Sequence, residues 1–226
     1  MAKHLGVVIE KLRSAYGEPE PPYTTDPFEM ILFENVAYLV DDEHRVGAFE
    51  NLRNVVGLQP EDILSASPEQ FKSVAALAGS NKQGQIAKLI RSAEIVREAF
   101  DGDLRKTLKL PLKKAVSALK KFPSIGEPGA EKIILFTRTF PFFALESNGL
   151  RVLIRIGFAD EQINYSAMYR AVQRAVSDQI PDDFDWLIDA YQLLKKHGQQ
   201  TCKRTNPFCG KCAIAVLCEY GSGRKR

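Results

Sequence analysis

The chain keeps all four of its cysteines within seventeen positions, close to its carboxy end. They are Cys202, Cys209, Cys212 and Cys218. Disulfides inside so short a stretch would close only tiny loops, and cysteines buried in a core are usually scattered among its elements. The spacing, C-x6-C-x2-C-x5-C, therefore favours metal ligation. A C-x2-C pair occurs in zinc and iron–sulfur sites alike, so spacing leaves the metal open.

The rest of the composition is that of a globular protein. The chain has 226 residues, 45% of them hydrophobic, which is enough to bury a core in one domain or two lobes. No apolar run approaches the roughly 18 residues of a membrane span. Glu10 and Lys11 interrupt the start where a secretory signal would stay apolar. We therefore expect a cytoplasmic protein without a membrane partner.

Charge is distributed unevenly along the chain. Residues 1–100 carry a net charge of −5, and residues 101–226 carry +8. A basic half is common in proteins that bind polyanions, but ordinary solvated surfaces also show such imbalances. Charge alone leaves nucleic-acid binding open.

Helical patterns recur along the sequence and strand patterns are weak, so we predict an all-α fold. Asp26, Pro27 and Glu29 form a strong helix start, and the apolar run from Met30 to Val40 continues that helix. Further helices are predicted at about 4–16, 44–55, 61–64, 68–78, 83–100, 112–121, 129–139, 147–158, 164–178 and 184–197.

A second landmark is LKKFPSIGEPGAEKIILF, residues 119–136, where a very short turn joins two of the predicted helices. Backbone N–H groups at such a turn, and at the helix start that follows, suit a phosphate oxygen. A Pro-x-x-Gly turn before a helix is also an ordinary loop, so the pattern is ambiguous. The candidate phosphate contacts are Lys120, Lys121, Ser124, Ile125 and Gly126.

The run HGQQTCKRTNPFCGKCAIAVLCEY, residues 197–220, resembles the carboxy-terminal cluster loop of the endonuclease III family of DNA glycosylases. The hairpin also resembles that family, and the likeness runs from about Asp26 to Tyr220. It implies a [4Fe-4S] cluster on the four cysteines, with Lys203 and Arg204 contacting DNA phosphates. The implied partner is double-stranded DNA with a damaged or mispaired base, bound by a monomer.

The resemblance also implies a two-lobed helix-hairpin-helix fold. A six-helix barrel would span 20–140 and contain the hairpin at about 112–139. A helical iron–sulfur domain would combine 1–19 with 141–226, with its cluster loop at 202–218. In the family, the flipped nucleotide lies in the cleft between these lobes.

The chain departs from the family where the chemistry is done. Bifunctional members carry a nucleophilic lysine two residues beyond the last hairpin glycine, and this chain has Pro128 there. The resemblance therefore predicts a glycosylase without AP lyase activity. Lys132, one helical turn further on, is a substitute in principle, but a lysine there more often faces solvent. Ser124 replaces the first family glycine of the hairpin.

Two carboxylates match catalytic positions of the family. Glu146, in LESNGLRVLIR, replaces the catalytic aspartate, and Glu34, in ILFENVAYLVDD, falls on the general acid of the adenine-DNA glycosylase branch. Leu39 falls on the residue that fills the gap left by the flipped base. Each residue also has a purely structural alternative. Glu146 could be an acid at a helix start, and Glu34 a carboxylate hydrogen-bonded to a neighbouring helix. Leu39 could be a leucine of the core.

The leading hypothesis is a monofunctional DNA N-glycosylase that uses Glu34 and Glu146. The alternative is a catalytically silent protein that binds damaged or branched DNA through the same hairpin and cluster loop. A cytosolic electron carrier is a minor third reading.

Overall fold

The computed structural model describes residues 4–223, and within that range the chain is helical, as predicted. The described part has no β-strand, only an isolated bridge between Tyr38 and Gly79. Four short 3₁₀ helices lie at Leu104–Lys109, Ser177–Gln179, Cys209–Lys211 and Ala215–Leu217. The α-helices are α1 (Leu5–Tyr16), α2 (Pro27–Asn35), α3 (Asp42–Val55), α4 (Pro60–Ser65), α5 (Pro68–Ala75), α6 (Lys82–Phe100), α7 (Leu112–Leu119), α8 (Glu127–Phe136), α9 (Ser147–Ile156), α10 (Tyr165–Val176) and α11 (Phe184–Gln200).

The chain divides into two compact units. The middle unit is Thr24–Ile133 and holds α2 to α7 and most of α8. The terminal unit combines the chain up to Tyr23 with the chain from Ile134 onward, so it holds α1, α9 to α11 and the cysteine loop. Two distant parts of the sequence thus fold together into one unit.

The predicted start of α2 is confirmed, but its predicted length is wrong. Asp26 Oδ1 accepts hydrogen bonds from the N–H groups of Phe28 (2.9 Å) and Glu29 (3.1 Å), and Pro27 opens the helix. The helix ends at Asn35, although the apolar run continues to Val40. The helix stops because the Tyr38 N–H donates to the carbonyl oxygen of Ala78 (3.0 Å), in a distant segment, instead of to a carbonyl oxygen of α2.

The core of the middle unit is built from the apolar faces of its helices. In this unit α4 packs on α6 and α3 packs on α5, while α2 contacts both α3 and α6. The side chains that pack there are almost entirely excluded from water, and each such leucine, isoleucine or phenylalanine contributes about 1.5–3 kcal/mol. They include Ile31, Leu32, Phe49, Leu52, Ile63, Leu89, Leu119 and Ile133.

The terminal unit is organised around α11. Both α9 and α1 pack against it, and α10 packs on α9. The guanidinium of Arg13 on α1 binds Asp189 on α11 at 2.8 Å, and Gln192 of α11 donates to the carbonyl oxygen of Glu20. These bonds attach the amino-terminal helix to the part of the chain that carries the cysteines.

The hairpin is present between α7 and α8. Next to the turn, the ring of the buried Phe122 stacks on the half-buried ring of Phe100, with centroids 6.0 Å apart. From α2, the fully buried Asn35 donates through Nδ2 to the carbonyl oxygen of Pro123 at 2.9 Å. The turn is therefore held both by apolar packing and by a buried hydrogen bond from α2.

Pro128 and Ser124 each fit the hairpin in a specific way. Pro128 is the second residue of α8, where a backbone N–H has no partner within the helix, so proline is tolerated as expected. Ser124 has φ +62°, a left-handed conformation that favours glycine. Serine therefore holds this turn at a cost in backbone strain.

Ser124→Gly should raise the free energy of unfolding by about 1 kcal/mol, because glycine has no Cβ to oppose a positive φ. The matched control is Ser117→Gly, an exposed position inside α7, where the free energy of unfolding should fall by about 1 kcal/mol. Urea unfolding midpoints measure both. A Ser124→Gly variant no more stable than the natural protein would contradict the strained turn.

No helix in the described part of the chain is long and apolar enough to cross a membrane.

Candidate functional site

The four cysteines line a single cavity of the terminal unit, with an empty volume of about 360 Å³ that includes open solvent. All four are half-buried free thiols. The loop that carries them begins where α11 ends, since the Cys202 N–H donates to the carbonyl oxygen of His197 (2.8 Å). The sequence thus brings its thiols together around one space, as the clustering predicts.

The cavity suits a group bound by thiolates. Burial raises the pKa of Cys212 and Cys218, and the nearby cysteines raise it further. Such thiols ionise readily when a cationic group binds them. Among residues 4–223 there is no group of three or more His, Cys, Asp or Glu side chains that could hold one metal ion. The four sulfur donors around one cavity fit a larger group bound by thiolates.

His197 of α11 also lines the cavity, with Nε2 3.6 Å from the sulfur of Cys212. Its Nδ1 lies 2.8 Å from the hydroxyl of Tyr16 on α1. Burial lowers the pKa of His197 to about 4, so the ring is neutral at physiological pH. The imidazole therefore lines the cavity with a neutral group that can form hydrogen bonds.

Arg155 of α9 organises the loop between the first two cysteines. Its guanidinium donates to the carbonyl oxygens of Lys203 (2.7 Å) and Arg204 (2.9 Å) and lies 3.4 Å from the sulfur of Cys202. Because Arg155 holds their backbone, the exposed side chains of Lys203 and Arg204 are presented by an ordered loop. Both predicted phosphate contacts are therefore accessible.

Glu146 is the N-cap of α9, as the structural alternative predicts. Its Oε1 accepts from the Gly149 N–H (2.6 Å), and its Oε2 accepts from Asn148 Nδ2 (2.7 Å). Burial and the Glu146 carboxylate raise the pKa of Tyr165 to about 12, so its hydroxyl stays protonated. The half-buried carboxylate is thus held firmly at the positive end of a helix dipole.

A chain of hydrogen bonds leads from Glu146 to the cysteine loop. Arg151 donates to Oδ1 of Asn148 (2.8 Å), and it also donates to the carbonyl oxygens of Gly198 (2.8 Å) and Cys202 (3.1 Å). Sequence reasoning missed the roles of Asn148 and Arg151, although both lie in the segment that resembles the family. Their polar side chains next to a candidate catalytic acid were the available signal.

Glu34 and Lys132 form an ion pair in the middle unit. Lys132 Nζ of α8 donates to Glu34 Oε1 of α2, as the structural reading of Glu34 expects. The expectation that Lys132 faces solvent is wrong, because its side chain is only 12% exposed, against 36% for Glu34. The Glu34 carboxylate supplies the partner that a mostly buried ammonium needs.

Leu39 is not a core leucine. It is 78% exposed and has φ +55°, which is unfavourable for a leucine. The segment is held by the Tyr38–Gly79 bridge, where a Cβ on Gly79 would lie 2.3 Å from the Tyr38 carbonyl oxygen. A strained apolar side chain displayed to solvent on a braced loop is a candidate contact for a partner.

The hairpin residues divide by exposure. Lys120, Lys121, Ser124 and Gly126 are exposed. Ile125 is 5% exposed, and its N–H donates to the Phe122 carbonyl oxygen at 3.2 Å, so it anchors the turn from inside. The accessible surface of the hairpin is therefore formed by small residues and two lysines.

Arg151→Met should lower the free energy of unfolding by about 3 kcal/mol, because three charge-assisted hydrogen bonds are lost and two backbone carbonyls lose a partner. Arg174→Met, at an exposed position of α10, is the matched control and should change it by less than about 0.5 kcal/mol. Urea unfolding measures both. Equal stability of the two variants would contradict the proposed importance of the Arg151 hydrogen bonds.

No family model matches the sequence. Curated relatives do match along nearly the whole chain. Endonuclease III of Escherichia coli is 27% identical over 218 residues, covering 94% of this chain and 93% of the relative. Endonuclease III of Sulfolobus acidocaldarius is 25% identical over 199 residues, covering 87% and 83%.

The fold agrees with these relatives. The structure of a non-covalent endonuclease III–DNA complex superimposes with a TM-score of 0.76, covering 99% of both chains at 16% identity. The cysteine loop, the hairpin and the two carboxylates all lie within the matched length. Over nearly its whole length the chain is therefore similar in sequence to endonuclease III, and it shares the helical fold seen in the endonuclease III–DNA complex.

Proposed function

We propose that the protein is a DNA N-glycosylase of base excision repair, and that it is monofunctional. The observation that carries this proposal is Pro128 in the first turn of α8, where bifunctional relatives have their nucleophilic lysine. Proline has no amine to form a Schiff base with the sugar. The nearest lysine on that helix, Lys132, is bound to Glu34 and is mostly buried, which further supports loss of the lyase step.

In this proposal the two carboxylates divide the chemistry. The bond between sugar C1′ and the base nitrogen breaks, and both of its electrons leave with the base. Glu34 delivers a proton to the departing base, while the carboxylate of Glu146 stabilises the positive charge that develops on the sugar. Water then adds to C1′ and releases a proton. The Gly149 and Asn148 hydrogen bonds hold Glu146 in one orientation for this role.

Binding to double-stranded DNA is proposed to rest on two basic surfaces. One is the hairpin, with Lys120, Lys121 and the backbone around Ser124 and Gly126, which Ile125 anchors. The other is the loop that carries Lys203 and Arg204. Both surfaces combine exposed cations with rigid backbone, a combination suited to phosphates because phosphate contacts set position and affinity without reading sequence.

The four cysteines are proposed to hold a [4Fe-4S] cluster. The support is the family spacing, together with four half-buried free thiols around one cavity. Cys202, Cys209, Cys212 and Cys218 would each supply one thiolate, and the bound cluster would hold the loop in shape. Arg155 would hold the same loop through its hydrogen bonds to the carbonyl oxygens of Lys203 and Arg204, so that both side chains remain exposed to DNA.

DNA binding without chemistry is the second candidate function. The observation in its favour is that both oxygens of Glu146 are engaged in the cap of its own helix. The same hydrogen bonds would be made by a carboxylate whose only role is to cap the helix.

Base release separates the two functions. Duplexes with alkylated, deaminated, oxidised or mispaired bases are incubated with the protein, and free base is quantified by mass spectrometry. We expect release from at least one duplex, and a fall of about 10²–10⁴-fold for Glu34→Gln and for Glu146→Gln. Glu161→Gln, an exposed position, is the matched control and should retain full activity.

If no duplex yields free base, or if both glutamine variants match the natural protein, glycosylase chemistry by this route is excluded. Salt-sensitive binding to abasic or branched DNA, unchanged in Glu146→Gln, would then support the silent binding function.

Leu39→Ala should slow base release from duplex DNA by about 10-fold, because it removes about 1.5 kcal/mol of apolar contact with the gap left by the flipped base. Single-turnover rates measure the effect. Val216→Ala, which is also highly exposed (79%), is the control and should leave the rate unchanged. Equal rates for Leu39→Ala and the natural protein would contradict the proposed contact.

A further inference from the structure

The ion pair of the middle unit bears directly on the proposed acid step. Lys132 Nζ donates to Glu34 Oε1, and the lysine is the more buried partner. Its neighbours along α8, Glu131 and Ile133, are also buried, at 7% and 0% exposure. An exposed ion pair is worth little, but an ammonium withdrawn from water needs its partner. The pair is therefore a persistent feature of the unit.

The contact changes what Glu34 can do alone. A carboxylate that accepts a hydrogen bond from an ammonium is ionised, because protonation would remove the charge that the lysine stabilises. A general acid must hold a proton when the bond to the base breaks. Because Glu34 is the acceptor in this ion pair, it needs a proton source close at hand to act as that acid. The structure provides one in direct contact, on Lys132 Nζ.

We infer that Lys132 is a positioning residue that supplies Glu34 with the proton it passes to the departing base. The inference rests on the proposed function and deepens it. As the bond from C1′ to the base breaks, a proton moves from Lys132 Nζ to the Glu34 carboxylate, and Glu34 gives a proton to the base. Lys132 is left as a neutral amine and Glu34 as a carboxylate. Water adds to C1′, and the proton that it releases restores the ammonium.

Apart from Lys132, the cations that lie near α2 have partners other than the Glu34 carboxylate within residues 4–223. Arg45 of α3 directs its guanidinium at the carbonyl oxygens of Phe33 and Ala37 (3.3 and 3.1 Å), and it lies 3.4 Å from the Glu34 carbonyl oxygen. Further charged groups near α2 in the described part of the chain include Arg53 of α3 with Glu29, Arg105 of the 3₁₀ helix with Asp26, and Lys88 of α6 over the Tyr38 ring. Helix α8 itself also carries Glu127 and Glu131.

Lys132 also differs from Arg45 in its chemistry. An ammonium gives up a proton readily in a low-dielectric site, whereas a guanidinium stays charged in proteins. Of these two cations, lysine is therefore the one able to donate. The variant Lys132→Arg therefore separates two roles of the lysine, which are to orient the Glu34 carboxylate and to supply it with a proton.

The test is the pH profile of base release under single-turnover conditions for Lys132→Arg. Arginine keeps a cation and a hydrogen bond for Glu34 but retains its proton. We expect unchanged DNA binding, a rate at pH 7 reduced about 100-fold or more, and partial recovery as the pH is lowered and solvent supplies the proton instead of Lys132. Lys72→Arg, at an exposed position of α5, should match the natural protein at every pH.

Lys132→Gln serves as a second variant in case arginine disturbs packing, and circular dichroism checks the folding of both. It should show the same loss at neutral pH and the same recovery in acid. Natural rates in either folded variant at pH 7, or an equal loss at all pH values, would overturn the proton-supply role alone. Absence of base release from the natural protein would overturn the proposed function as well.

Discussion

A lysine withdrawn from water requires a negative partner, and in this protein that requirement links the hairpin helix to α2. Lys132 sits on α8 between buried neighbours, and the carboxylate of Glu34 is its partner. Removing either partner alone would leave a charge poorly solvated, so the two positions depend on one another. The hairpin is held to α2 a second time by the buried bond from Asn35 to the Pro123 carbonyl oxygen. Adjacent residues of one helix thus hold both the turn and the helix that follows it.

In the terminal unit, two arginines likewise join separate segments through charged hydrogen bonds. Arg151 and Arg155 lie one turn apart on α9, and both donate to backbone oxygens around Cys202. Arg151 also contacts Asn148, which in turn binds Glu146. The cap of α9 and the cysteine loop are therefore parts of one hydrogen-bonded structure.

Much of the fold follows from local signals in the sequence. Asp26 and Pro27 mark the start of α2, and Glu146 marks the start of α9, because caps act within one helical turn. The clustering of cysteines likewise brings them to one cavity. Local signals fail where distant segments compete. The end of α2 at Asn35 depends on a bond from Tyr38 to Ala78, and the pairing of Glu34 with Lys132 joins residues 98 apart.

The backbone conformations of Leu39 and Ser124 were also beyond local reasoning, because neither residue favours a positive φ. Contacts with distant segments impose the conformation, and both exposed residues carry backbone strain as a result. The catalytic and DNA-contact roles of the candidate residues remain predictions. What the structure shows is that Pro128 lies in the first turn of α8, that Glu146 caps α9 and that Glu34 pairs with Lys132.

The central claim is that this chain has no amine nucleophile at the Pro128 position and that Lys132 serves instead as the partner of the Glu34 carboxylate. Reduction with borohydride on a duplex with an abasic site tests it most directly, with a lysine-bearing bifunctional relative treated in parallel. The account predicts a covalent DNA adduct for the relative and none for this protein. A trapped adduct that peptide mapping assigns to Lys132, or to any other lysine of this chain, would contradict it.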